Sequence, residues 1–113
     1  MSETNAERSA RIERENMANR LRARASMERG DWEPEYSSWR HGGSYVHGIV
    51  FPNGGIGCIA SARHTQSGKF ESACFPDEVG QHKTRRAAAF AEREHAMRLW
   101  REWDAAQESQ ADA

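Results

Sequence analysis

Tyr45-Val46-His47-Gly48-Ile49-Val50-Phe51-Pro52-Asn53-Gly54-Gly55 is the stretch from which the fold is read. Its first seven residues are mostly β-branched or aromatic, which suits a pleated, half-buried surface. Pro52 to Gly55 then turns the chain, and Asn-Gly supplies the positive φ that a two-residue hairpin loop needs. With Asn53 and Gly54 as the loop, Phe51 pairs with Ile56, Ile49 with Cys58, His47 with Ala60 and Tyr45 with Ala62. These side chains share one face, because strand side chains alternate. That face is largely apolar and is expected to be buried. The opposite face carries Val46, Val50, Ile59, Ser61, Arg63, Glu71, Ala73 and Phe75, and is expected to be the outer one.

A second hairpin runs through Thr65-Gln66-Ser67-Gly68. A three-residue loop with Gly68 left-handed pairs Thr65 with Lys69 and sets Arg63 opposite Glu71. Phe70 and Cys74 then join the buried face. A four-residue loop would shift the register by one and bring in Ala73 and Phe75 instead. The first register is preferred.

Two helices flank this sheet. Thr84 is a plausible N-cap, and Arg85 to about Gln107 has no Gly or Pro. At helical spacing Phe90, Met97, Trp100, Ala89, Ala96 and Trp103 form one stripe, expected to pack on the sheet, with Arg93 snorkelling out of it. Burying the four large side chains is worth about 2 kcal/mol each. Residues 1–30 also read as a helix, rich in Ala, Arg and Glu and stopped by Gly30. Only Met17 and Leu21 are large and apolar on its narrow stripe, so it needs a partner surface. The candidates are the outer sheet face, a second copy of the chain in a homodimer, or another molecule.

The expected class is therefore α+β: an N-terminal helix, a three-stranded antiparallel sheet made of two hairpins, and a C-terminal helix on one sheet face. The divisions are residues 1–30 (helix), 31–43 (a linker with Trp32, Tyr36 and Trp39), 44–107 (three strands plus helix) and 108–113 (polar tail).

Composition narrows the function. The 113 residues are 29% charged and 37% hydrophobic, with a formal net charge of -1, which excludes a wholesale basic protein of the histone type. Residues 40–103 nevertheless carry nine Lys and Arg against six acids, and all five histidines. No run of residues is long and apolar enough to span a membrane. The polar N-terminus lacks the apolar stretch of a secretory signal, so a cytoplasmic location is expected. Cys58 and Cys74 are too few for a disulfide framework. No CxxC, HxxxH or HExxH spacing marks a metal site, and no cofactor motif is present. Cys58 lies mid-strand on the expected core face, and no serine stands in a nucleophile elbow, so no catalytic residue is assigned and an enzyme is not expected.

The basic residues stand out more. Lys83, Arg85 and Arg86 cluster at the start of the last helix, where positive charge opposes the helix dipole unless an anion binds there. Together with Arg40, Arg63 and Lys69 they are the candidate nucleic-acid contacts. Val46, Val50, Ile59 and Phe75 on the outer face are the candidate protein-docking residues.

Tyr45 to Phe51, Gly55 to Arg63, Gly68-Lys69-Phe70 and Thr84 to Ala91 resemble the arm-type DNA-binding domains of phage integrases. In that family the sheet enters the major groove and the helix backs it. The resemblance implies that Arg63, Lys69 and Ser61 face DNA. In size and layout the chain also looks like small phage-encoded anti-defence proteins, including anti-CRISPR inhibitors.

Two functions follow as expectations. The first is a non-catalytic protein, encoded by a phage or mobile element, that docks on a host nucleic-acid-handling complex and inhibits or modulates it. The second is a nucleic-acid-binding accessory protein that reads DNA with its three-stranded sheet. Protein docking is placed ahead, because the net charge of the centre is small for a DNA binder. Finding Arg40, Arg63, Lys69, Lys83, Arg85 and Arg86 on one surface reverses that order.

Overall fold

Thr4 opens the first helix, its side-chain oxygen accepting from the Glu7 amide at 3.0 Å, and the Gly- and Pro-free run that follows continues as α1, Asn5–Met27. The computed structural model describes residues 2–111. After α1 come β1 (Glu35–Ser38), β2 (Ser44–Val50), β3 (Ile56–Ala60), β4 (Phe70–Ser72), the short helix α2 (Pro76–Val79), β5 (Gln81–His82) and α3 (Arg85–Ala111). The α+β class and the order helix, antiparallel sheet, helix agree with the expectation. The sheet has five strands rather than three, in the order β1-β2-β3-β4-β5 with every neighbour antiparallel. The extra strands come from the aromatic linker, which supplies β1 on one edge, and from the loop after β4, which supplies α2 and β5 on the other. No helix among the described residues is long and apolar enough to cross a membrane.

The first hairpin differs from its expected register. Phe51 donates to Gly55 O at 2.8 Å and Gly54 donates back to Phe51 O at 2.9 Å, so the loop is the three residues Pro52–Gly54, with Gly54 left-handed. Further along, Tyr45 pairs with Cys58 and Val46 with Gly57, because the register slips between Val46 and Val50. The slip centres on Gly48, whose φ of +86° only glycine adopts without strain. A side chain there would also strike Trp32, whose indole N–H donates to Gly48 O at 3.1 Å.

Before the slip the faces are consequently exchanged, while Ile49 and Phe51 beyond it, each 2% exposed, lie in the core as expected. Tyr36, Val46, Gly57, Ile59 and Ser72 share the helix-covered face, while Glu35, His47, Tyr45 and Cys58 share the other. Val46 and Ile59 are each 1% exposed and Val50 8%, so these three expected docking residues lie in the core. The physical reason is packing: α3 and α1 together offer more apolar surface than one helix, and the β-branched residues of β2 and β3 fill it. The second hairpin is corrected as well. Ala60 pairs with Glu71, and a wide loop, residues 61–69, replaces the tight turn. Arg63 leaves the strand in a 3₁₀ turn, Ala62–His64, and does not face Glu71.

Helix α3 buries Ala89, Ala96 and Trp100 as its spacing predicts, with Phe90, Met97 and Trp103 half-buried. Trp100 is fully buried and its indole N–H donates to Val50 O at 2.8 Å, which satisfies its polar atom. Arg93 snorkels to the end of α1, donating to Met27 O at 2.8 Å and Arg29 O at 2.9 Å. There it satisfies terminal carbonyls and complements the helix dipole. Helix α1 packs over β2 beside α3. Met27 is fully buried, and Arg24 grips Asp104 with two hydrogen bonds of 2.7 and 2.6 Å. The helix therefore covers, together with α3, the face of Val46 and Val50 that was expected to be the outer one, while its residues 5–16 are all exposed.

Candidate nucleic-acid interface

An antiparallel sheet sends alternate connections to opposite ends. At one end lie the β1–β2 connection (residues 39–43), the β3–β4 connection (residues 61–69), and the passage from β5 into α3 (residues 83–86). These three segments hold Arg40, Arg63, Lys69, Lys83, Arg85 and Arg86, with His41 and His64, and no Asp or Glu. The topology thus gathers at one sheet end all six cations singled out from the sequence. The opposite end carries the hairpin Pro52–Gly55, to whose Pro52 O the Arg20 guanidinium donates at 3.3 Å, and the acids Asp77 and Glu78 on α2.

Side-chain contacts knit this end together. The rings of His41 and His64 lie 5.0 Å apart and join the first two loops. His41 holds a φ of +57°, a strained value for a non-glycine residue. Arg40 stacks over Trp39 at 4.8 Å, and Arg85 over Tyr36 at 3.7 Å while donating to Ser44 Oγ at 3.1 Å. Lys69 and Lys83 are the next residues outward from the Phe70–His82 pair, so they flank the end of the β4–β5 ladder. Arg86 is the exception. It is drawn aside to the Glu33 carboxylate, which it holds below the usual carboxylate range. Thr84 caps the helix as its sequence suggests, its hydroxyl accepting from Ala87 N at 3.1 Å. Among the described residues, Arg40, Arg63, Lys69, Lys83 and Arg85 form no ion pair with a carboxylate.

Of the four expected docking residues only Phe75 retains exposed surface. It lies at the opposite end, with its ring 4.8 Å from Phe51 and 4.7 Å from His95. Phe51, Pro52, Phe75, Leu99 and Trp103 line an apolar groove of about 400 Å³ there.

One polar cluster lies inside. Glu92 is 1% exposed, and its carboxylate accepts from Cys58 N at 2.9 Å and from the Ser72 hydroxyl. Gly57 makes the space, since a side chain there would fall 2.6 Å from the Glu92 carboxylate. Burial pushes the Glu92 carboxyl up to about 7, against the opposing pull of its two donors. Burial, with the Glu92 charge adding to it, pushes the Cys58 thiol up to about 11. A thiol so protonated is a poor nucleophile. Among the described residues no group of three or more His, Cys, Asp or Glu is placed to hold a metal ion.

Sequence reasoning noted Tyr36 only as a linker aromatic, and it missed Ser38, Ser44 and Glu92. The first three depend on β1 being a strand, and Glu35–Ser38 has one apolar residue and no clean alternation. Glu92 was legible only as a carboxylate next to the α3 stripe, a position usually occupied by a solvated charge. No protein-family model matches the chain, and no similar curated protein or solved structure was found.

Proposed function

We propose that this chain is a non-catalytic nucleic-acid-binding protein that grips the phosphate backbone with the cationic end of its sheet. The carrying observation is the convergence of the three acid-free segments 39–43, 61–69 and 83–86 on that end. Phosphate contacts dominate the affinity of such proteins, and clustering matters more than net charge. Contact is made by loop ends rather than by a sheet face laid in a groove, because Arg63 and Lys69 sit off the strands. The interior positions of Val46, Val50 and Ile59 remove most of the surface on which docking to a host protein had rested.

The test is fluorescence anisotropy with a labelled DNA duplex and a labelled single strand across a salt series. About five phosphate contacts predict a loss of roughly 10²–10³-fold between about 50 and about 200 mM salt. Arg63→Glu combined with Lys69→Glu should weaken binding by about 100-fold or more. No complex at low salt with either probe defeats the reading.

A further inference from the structure

Where the ends of β1 and β2 meet the start of α3, an open cavity of about 440 Å³ is walled by Tyr36, Ser38, Trp39, Gly43, Ser44 and Arg85. Its lining carries a guanidinium and several hydroxyls but no carboxylate. Arg85 is fixed in the wall from two sides, stacked on the Tyr36 ring at 3.7 Å and donating to the buried Ser44 hydroxyl at 3.1 Å. That single bond to Ser44 leaves the rest of its donor fork unused among the described residues. The Tyr36 hydroxyl is cut off from solvent and has no hydrogen-bond partner. A buried polar group left unpaired is unfavourable and rare, and it calls for a ligand or a role. Gly43 keeps the loop backbone close to Trp39: a side chain there would fall 2.5 Å from the indole ring and 2.9 Å from Ile59 O.

We propose that this cavity seats one phosphate group, with the Arg85 fork and the Ser38 and Tyr36 hydroxyls as donors to its oxygens. A planar guanidinium with adjacent hydroxyls matches the tetrahedral oxygens of phosphate. The Tyr36 O–H, closed to solvent in the free chain, joins these donors only once phosphate binding moves the wall in front of it. The proposal rests on the nucleic-acid reading for the source of the phosphate, a backbone group of the bound strand, but not for the chemistry of the seat.

The experiment compares wild type, Arg85→Lys and Tyr36→Phe. Each is titrated with a labelled oligonucleotide, and separately with inorganic phosphate followed by amide shifts and thermal midpoint at constant ionic strength. Arg85→Lys keeps the charge and loses the fork, so a diffuse electrostatic surface tolerates it. A seat loses about tenfold in oligonucleotide affinity with the salt slope unchanged, and loses the phosphate response as well. Tyr36→Phe is expected to lose about threefold. If it matches wild type while Arg85→Lys is weakened, the phenol leaves the donor set and the seat stands. Oligonucleotide binding by Arg85→Lys within about twofold of wild type overturns the seat and leaves the nucleic-acid reading intact. A phosphate response lost in Arg85→Lys, with no oligonucleotide binding by wild type, overturns the nucleic-acid reading and leaves a seat for a small phosphate ester. No binding of either probe overturns both.

Discussion

Glu92 is buried without a cation, and its two donors, Cys58 N and the Ser72 hydroxyl, do not offset the loss of water. Its carboxyl lies at about 7 in the folded chain against 4.5 for the free group, so between these values the native state holds a proton that the unfolded state has released. Stability from this group is fully present below about 4.5, falls as pH rises towards about 7, and is flat above. Denaturant melts between pH 5 and 7 should lose stability with a slope of at most about 1.4 kcal/mol per pH unit. Glu92→Gln should flatten that slope, and a slope that survives the substitution assigns it to other groups. Glu92→Ala should instead cost about 2–4 kcal/mol, since it leaves a void and strips partners from Cys58 N and Ser72. The two cysteines offer a second residue-level check. Cys74 is exposed and should react with a thiol reagent in the native state. Cys58, buried and held protonated, should react only on unfolding.

Elements were legible in proportion to how much of their own pattern they carry. Helix α3 has a long run without breakers and an apolar stripe, so its span, its face and the escape of Arg93 could be read from spacing. The β2–β3 hairpin was legible as a hairpin but not in register. Asn53-Gly54 suits a two-residue loop, yet the chain closes over Pro52–Gly54 and slips again at Gly48. Around the slip, distant groups pack against the strands, Trp32 against Gly48 and Glu92 against Gly57, and local sequence does not reveal them. Strands β1 and β5 are held by their neighbours and have almost no pattern of their own. Six candidate cations could be named from the sequence, but their convergence required the five-strand order. Helix α1 divides into two functional halves. Its exposed residues 5–16 are laced by ion pairs such as Arg11–Glu3 at 2.9 Å, which contribute little in water. Met27 and Arg24 dock its other half. Deleting residues 2–12 should therefore shift the thermal midpoint by less than about 3 °C, while Met27→Ala should cost about 2–4 kcal/mol. A large shift on deletion would mean that the free half is bound to something, with a second copy the first candidate to examine by sedimentation.

Within the sheet connections, the cations named from the sequence gather at one end. The sheet places Arg40, Arg63, Lys69, Lys83 and Arg85 on one side and Asp77 and Glu78 on the other, so a formal charge of -1 conceals a cationic sheet end. Screening sets the reach of each end. The Debye length is about 8 Å at physiological salt, shorter than the sheet is long, so a polyanion at the cationic end is little affected by the acids of α2. This separates a localised interface from simple dependence on net charge. Asp77→Lys with Glu78→Lys raises the net charge at the far end by four units, and Arg63→Glu with Lys69→Glu lowers it at the near end by four. If binding follows net charge, the two doubles should change affinity by similar factors in opposite directions. If it follows the sheet end, the α2 double should stay within about threefold of wild type at physiological salt, while the loop double loses about 100-fold or more. At low salt, where the Debye length grows to about 30 Å, the α2 double should begin to gain in association rate, because the far charges then join in steering. An α2 double that tightens binding strongly at physiological salt would move the interface away from the three loops.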